Sequence, residues 1–317
     1  HEGGAYPAGG PQEMPMALVQ RIESAGGSVF VRAPVAEIMR DGSGKATGVK
    51  MSEKHCGGVV LEAKHCVISA CGYRNTYRLV NNATKSSDSS PGKSFPGLDE
   101  LEIPQGEAFV MANIGIRGTV SDLKLECANL WPQPAGDGLS IFDGVRAYLD
   151  DPLGVPVEDI PMMITFPTIK DRNHTLNNPQ LAEYQTCQIL SLAKMEWFGT
   201  VEKAVEQEGV DGRTPAWKHP ERDVKYKELK QKWVDRFQEA FLKYYPQLEG
   251  KIEMFDMATP LSIEHYLPTG SGSPIGLDVN GIENGTEGCR FTDMKIMKKL
   301  DMKTSIPNLW ITGQDTI

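Results

Sequence analysis

The chain has 317 residues, 40% hydrophobic and 24% charged, a length and balance that suit one large or two ordinary globular domains and exclude a disordered chain. A formal net charge of -9 argues against nucleic-acid binding, whose electrostatic footprint is basic. No apolar run approaches the roughly 18 residues of a membrane span, and six cysteines are too few and too scattered for a disulfide framework.

His1 is not an initiator, and the first residues read as domain interior, so the chain is expected to be a fragment lacking both ends. Residues 1–10 hold four glycines around Tyr6-Pro7, which suits either a close backbone approach to a ligand or a flexible loop. Met14, Leu18, Ile22 and Ala25 recur at helical spacing, and Gly26-Gly27 ends that helix. The period then shortens. Ser28–Val31 and Val35–Ile38 read as strands, Asp41-Gly42-Ser43-Gly44 as a hairpin turn, and Thr47–Met51 as the returning strand. Another strand begins near Val59, and 63–70 forms a further one ending in Cys71-Gly72.

Ser86–Pro96 is rich in Ser, Gly, Pro and Lys and marks a boundary. Beyond it, Phe109–Ile116, Asn129–Trp131, Met162–Phe166 and Thr186–Met195 are strand-like, with Pro134–Gly138 as one of the turns between them, and together they suggest a mixed sheet. The clearest helix runs from Tyr226 to Tyr245, with Leu229, Trp233, Phe237, Phe241 and Tyr244 on one stripe and Pro246 as its stop. That stripe packs on the sheet or lines an apolar channel. Ile252–Met257 is a strand broken at Ala258-Thr259-Pro260-Leu261, and 268–290 is a glycine-rich loop. Leu309-Trp310-Ile311 is a short buried strand running into Thr312-Gly313-Gln314-Asp315, a glycine beside an acid.

Hydrolase signatures and a Walker glycine loop are missing. His55-Cys56 and His65-Cys66 lack the tight spacing of structural zinc, so no metal is expected. His174, His219 and His265 sit in polar contexts, and His265-Tyr266 is the pair placed best for a cleft. The sequons at Asn82, Asn173 and Asn284 point only faintly to a secretory compartment.

Six stretches in order carry a resemblance: 3–10, 26–29, 33–38, 67–72, 258–261 and 306–315. They resemble the FAD-dependent polyene oxidoreductases, the group of phytoene desaturase, carotenoid isomerase and retinol saturase, distant relatives of the monoamine oxidases. Tyr245–Lys251 and Thr312–Asp315 look most like the retinol saturase branch. The resemblance implies an α/β fold: an incomplete FAD-binding Rossmann-like domain of the amine-oxidase type with a mixed-sheet substrate domain. Residues 1–95 and 268–317 would serve the flavin domain, with 1–10 at the substrate interface, and 96–267 the substrate domain. The G-x-G-x-x-G turn and the helix expected after Asp315 are absent from the sequence.

By the same resemblance Val35 lies against the adenine end of FAD, and Ser69, Ala70 and Gly72 pass close to the dinucleotide. Asp315 accepts hydrogen bonds from its ribityl or pyrophosphate region, and Gly313 gives clearance. The implied activity is reduction of a conjugated double bond of retinol or a carotenoid, with NAD(P)H as a candidate electron donor. Isomerisation, desaturation and a non-catalytic lipid-binding role are the alternatives. Tyr6, His265 and Tyr266 are candidate proton donors. Peripheral membrane association, at the endoplasmic reticulum or a plastid, is what such relatives imply.

Overall fold

The computed structural model describes residues 5–82, 98, 103, 105–134, 140–199, 220–269, 271–278, 291 and 294–316. In chain order the elements are α1 (Glu13–Ser24), β1 (Val35–Arg40), β2 (Ala46–Met51), α2 (Glu53–Cys56), β3 (Val60–Glu62), β4 (Val67–Ser69) and α3 (Tyr73–Asn82). There follow β5 (Ala108–Arg117), α4 (Ile141–Asp150), β6 (Met163–Thr165), α5 (Pro167–Lys170), α6 (His174–Asn177) and β7 (Tyr184–Ala193). The last are α7 (Pro220–Tyr244), β8 (Ile252–Ala258), α8 (Pro260–Tyr266), α9 (Met294–Lys299) and β9 (Leu309–Ile311). The chain divides into two compact units, His1–Val29 with Glu107–Leu267, and Phe30–Gly106 with Pro268–Ile317.

The first unit is built on a four-stranded sheet in the order β6-β7-β5-β8. Every pairing in it is antiparallel, so the expected mixed sheet is corrected. Strands β5 and β7 alternate between buried and half-buried residues along their length. On the buried face Val110, Ala112, Ile114, Cys187 and Ile189 meet Trp233, Phe237 and Phe241 of α7 in one core cluster. Those three aromatic residues have no exposure, and burying each contributes roughly 2–3 kcal/mol. The aromatic stripe is therefore core at Trp233, Phe237 and Phe241. Trp233 stacks on Trp197 with centroids 5.6 Å apart, and Tyr148 meets both edge-on.

Asn129–Trp131, expected as a strand, contributes only a single bridge between Leu130 and Ile164. Strand β6 itself pairs over three residues, which leaves little length to extend the sheet. Helix α4 begins where Ser140 Oγ accepts the amide of Asp143, and Ser140-x-x-Asp143 is its local signal. Helix α1 forms where its spacing and glycine stop place it, with Gly26 at φ +82° and Gly27 N donating to Ile22 O. None of its residues is buried, and Met14 and Leu18 are each 64% exposed.

The second unit holds a meander, β1-β2-β3, and a two-stranded parallel sheet, β4-β9. The Asp41–Gly44 turn joins β1 to β2 as expected, with Asp41 Oδ1 accepting from the Ser43 and Lys45 amides. Ile38, Ala46, Tyr73, Val80, Leu309 and Ile311 belong to its core cluster. Ser28–Val31 is not a strand. Its apolar residues are exposed, Phe30 at 68% and Val31 at 81%, and it pairs with no strand among the described residues. The unit's linker 86–96, most of the loop 268–290, residues 1–4, 135–139, His219 and Cys289 lie outside the described residues.

Candidate functional site

In an open parallel sheet, ligands bind beyond the carboxyl ends of the strands. In the second unit β4 and β9 run side by side, with Val67, Ile68 and Ser69 opposite Leu309, Trp310 and Ile311. Both chains leave the sheet at one end, where Ala70, Cys71, Thr312, Gly313 and Gln314 are exposed. Gly72 then turns at φ +85° and α3 starts at once. Ser69 Oγ lies 2.7 Å from Thr76 Oγ1 and 3.2 Å from Cys71 Sγ, which ties the strand end to the first turn of that helix.

Asp315 sits beneath this edge, only 2% exposed. Its Oδ2 accepts the amide of Tyr73 at 2.8 Å, and its Oδ1 accepts the amide of Leu277 at 2.8 Å. A carboxylate facing two backbone N–H groups forms strong, charge-assisted bonds. It closes three segments on each other: the start of α3, the stretch around Leu277, and the end of β9. Two glycines make room for it. A Cβ on Gly276 would fall 2.2 Å from Oδ1, and one on Gly72 would fall 2.9 Å from Oδ2. Gly313, at φ +109°, has only Ala70 O at 4.0 Å beside its missing Cβ. Val35 opens β1, exposed, in register with Met51.

The glycine segment belongs to the first unit. Gly9 and Gly10 both adopt φ +90°, and Gly10 N donates to Pro7 O. Asp171 Oδ1 accepts the amide of Gly9 at 2.7 Å and that of Asn173 at 2.9 Å. The Gly9 amide above all holds the Asp171 carboxyl below its ordinary range; desolvation opposes it, and the Asn173 amide and His174 add to it. Tyr6 lies beside this carboxylate, and burial first, then Asp171, raises its phenol above the usual value. His265 and Tyr266 close α8 with their rings edge-on at 4.9 Å, both exposed.

Sequence reading missed Tyr73, Gly276 and Leu277, whose part is played through backbone atoms and long-range placement. Among the described residues no group of three or more His, Cys, Asp or Glu is placed to hold a metal. Among them, too, no helix is long and apolar enough to cross a membrane.

These features describe a mixed α/β protein with an antiparallel-sheet unit and a second unit whose parallel strands end in a braced glycine loop. No protein-family model matches the chain. It is similar to all-trans-retinol 13,14-reductase of Homo sapiens, 29% identical across 99% of this chain and 46% of that protein. The same name is carried by a Rattus norvegicus protein, also 29% identical with the same coverage. A Danio rerio protein named inactive all-trans-retinol 13,14-reductase is 23% identical across 98% of the chain. The chain spans about half the length of the curated relatives it matches. The likeness to the retinol saturase branch, read from Tyr245–Lys251 and Thr312–Asp315, thus extends along the chain.

Proposed function

We propose that this chain is part of an FAD-dependent oxidoreductase that reduces a conjugated double bond of retinol or a closely related polyene alcohol. The observation that carries the reading is collinear similarity over 99% of the chain to proteins named for that reaction. Identity to those proteins is 29%, against 23% to the relative named inactive. Isomerisation of a cis-carotenoid or a phytoene-type desaturation is the second reading, supported only by the wider family resemblance.

The residues present suit a dinucleotide as a backbone cradle. At the ends of β4 and β9 Ala70 and Gly313 are exposed, Gly72 is half-buried, and Ser69 is buried beneath them, which leaves an edge poor in large side chains at these positions. Val35 would meet the adenine end. Asp315 contributes by holding that edge in shape, since both its oxygens already accept backbone amides. FAD, when bound, supplies the hydride, with NAD(P)H as candidate donor of the electrons. The chain's own part is to orient the substrate, exclude water and deliver a proton. The Tyr6 phenol, raised above its ordinary value by burial first and Asp171 second, is one group that can donate a hydrogen bond there. His265 and Tyr266 are the other candidates. A lipophilic substrate implies peripheral membrane association, at the endoplasmic reticulum or a plastid.

The test is to purify the full-length protein and record its absorbance. A flavin spectrum, with FAD released on denaturation, is expected. A colourless protein that releases none would overturn the reading.

A further inference from the structure

The four-stranded sheet of the first unit has a second face, and its side chains fall into rows. Met163 pairs with Leu190, Leu190 with Met111, and Met111 with Ala258, giving one apolar row across all four strands. One step along the strands, Thr165 pairs with Gln188, Gln188 with Asn113, and Asn113 with Asp256, giving a polar row in the same register. Directly paired residues share a face, so both rows project from the same side. Phe109, Met111, Met163 and Leu190 are half-buried and belong to neither core cluster. From Asn113 back to Phe109 the face offers roughly 14 Å along the strand, at about 3.4 Å per residue, with apolar side chains beyond the polar row.

The polar row is bonded to lysines at its ends and keeps unused amide atoms at its half-buried centre. Lys170 Nζ donates to Thr165 Oγ1 at one end, and Lys230 Nζ donates to Asp256 Oδ1 at 3.1 Å at the other. Between them Gln188 Nε2 donates to Asn113 Oδ1 at 3.0 Å. That bond leaves the Asn113 amide nitrogen as a spare donor and Gln188 Oε1 as a spare acceptor among the described residues. Exchanging oxygen and nitrogen in both amides still leaves one amide nitrogen and one amide oxygen outside that bond. A hydroxyl group offers the complementary pair. A carboxylate, which only accepts, matches half of it.

We propose that this face binds a lipophilic alcohol, its hydrocarbon along the apolar row and its hydroxyl between the Asn113 and Gln188 amides. The inference rests on the polyene-reductase reading for the class of ligand, and it adds the residues that select an alcohol.

The experiment measures kcat/KM of the full-length, flavin-loaded protein for all-trans-retinol and for its O-methyl ether, which keeps the hydrocarbon and loses the donor. Wild type is expected to prefer the alcohol about tenfold, the worth of one hydrogen bond to a site built for it. Gln188→Met combined with Asn113→Leu removes both amide oxygens, including the Asn113 Oδ1 that loss of Gln188 Nε2 would set free, and is expected to bring the preference close to one, chiefly through KM for the alcohol. Asn113→Asp keeps the acceptor that Gln188 Nε2 uses and presents only acceptors to the ligand, so it is expected to widen the preference. A merely structural role would move both variants the same way. Equal losses for alcohol and ether in both variants, or a wild type without preference, overturn the inference and leave the reductase reading standing. A flavin-loaded wild type that reduces neither compound removes both.

Discussion

Replacing Asp315 by alanine strips two buried backbone amides, those of Tyr73 and Leu277, of an ionised acceptor held at 2.8 Å from each. A hydrogen bond to a charged group is worth about 1.5–3 kcal/mol, so losing the pair costs about 4 kcal/mol in local stability. Asp315→Asn keeps one acceptor oxygen and turns an N–H toward the other amide, a loss of about 2 kcal/mol. The assay is amide hydrogen exchange on the whole chain, followed at Tyr73 and Leu277, because local opening of this edge is what the brace resists. About 2 kcal/mol corresponds to roughly thirtyfold faster exchange in the asparagine variant, and the alanine variant is expected to be faster still. If both amides keep their wild-type protection in Asp315→Ala, the carboxylate is not what closes this edge and the account of the strand-end site is wrong.

Gly276→Ala sets a Cβ 2.2 Å from Asp315 Oδ1 at φ +73° and should cost about 3 kcal/mol or more, whereas Gly57→Ala, at φ +60° with nothing within 4 Å, should cost only about 1 kcal/mol; urea unfolding of the two variants checks the order. Trp233→Ala removes a fully buried ring stacked on Trp197 and should lower stability by about 4 kcal/mol, read as a lowered thermal midpoint. The Asp171 carboxyl is held below its ordinary value near 3.8, so the tether to Gly9 is fully formed above that value and is lost as pH falls through the depressed one. Proteolysis at residues 5–12 should therefore stay slow at neutral pH and rise only in strong acid, and Asp171→Asn should flatten that dependence.

Much of the local structure could be read from the sequence where burial and period coincide. Trp233, Phe237 and Phe241 on α7 recur at helical spacing and are buried, as are Leu309 and Ile311 of β9, whereas Trp310 between those two, expected inside as well, is 40% exposed. The same logic misplaced Ser28–Val31, which carries a strand's composition but has no partner among the described residues to complete its ladder. The antiparallel order β6-β7-β5-β8 was out of reach, since alternation fixes which face a residue takes and not which strand lies beside it. Asp315 stood out as an acid after a glycine. Its partners did not, because Tyr73 is 242 residues away and contributes a backbone N–H that every residue but proline carries. The amide pair of Asn113 and Gln188 was hidden for the same reason, being defined by cross-strand register alone.

The proposed reaction adds hydrogen across a conjugated double bond of a polyene alcohol. The most direct measurement incubates the purified, flavin-loaded, full-length protein with all-trans-retinol and a reductant without oxygen, and follows products by chromatography and mass. The expected product is two mass units heavier and has a shortened chromophore. Recovery of unchanged retinol, while a cis-carotenoid is isomerised or phytoene is desaturated under the matching redox conditions, would contradict it.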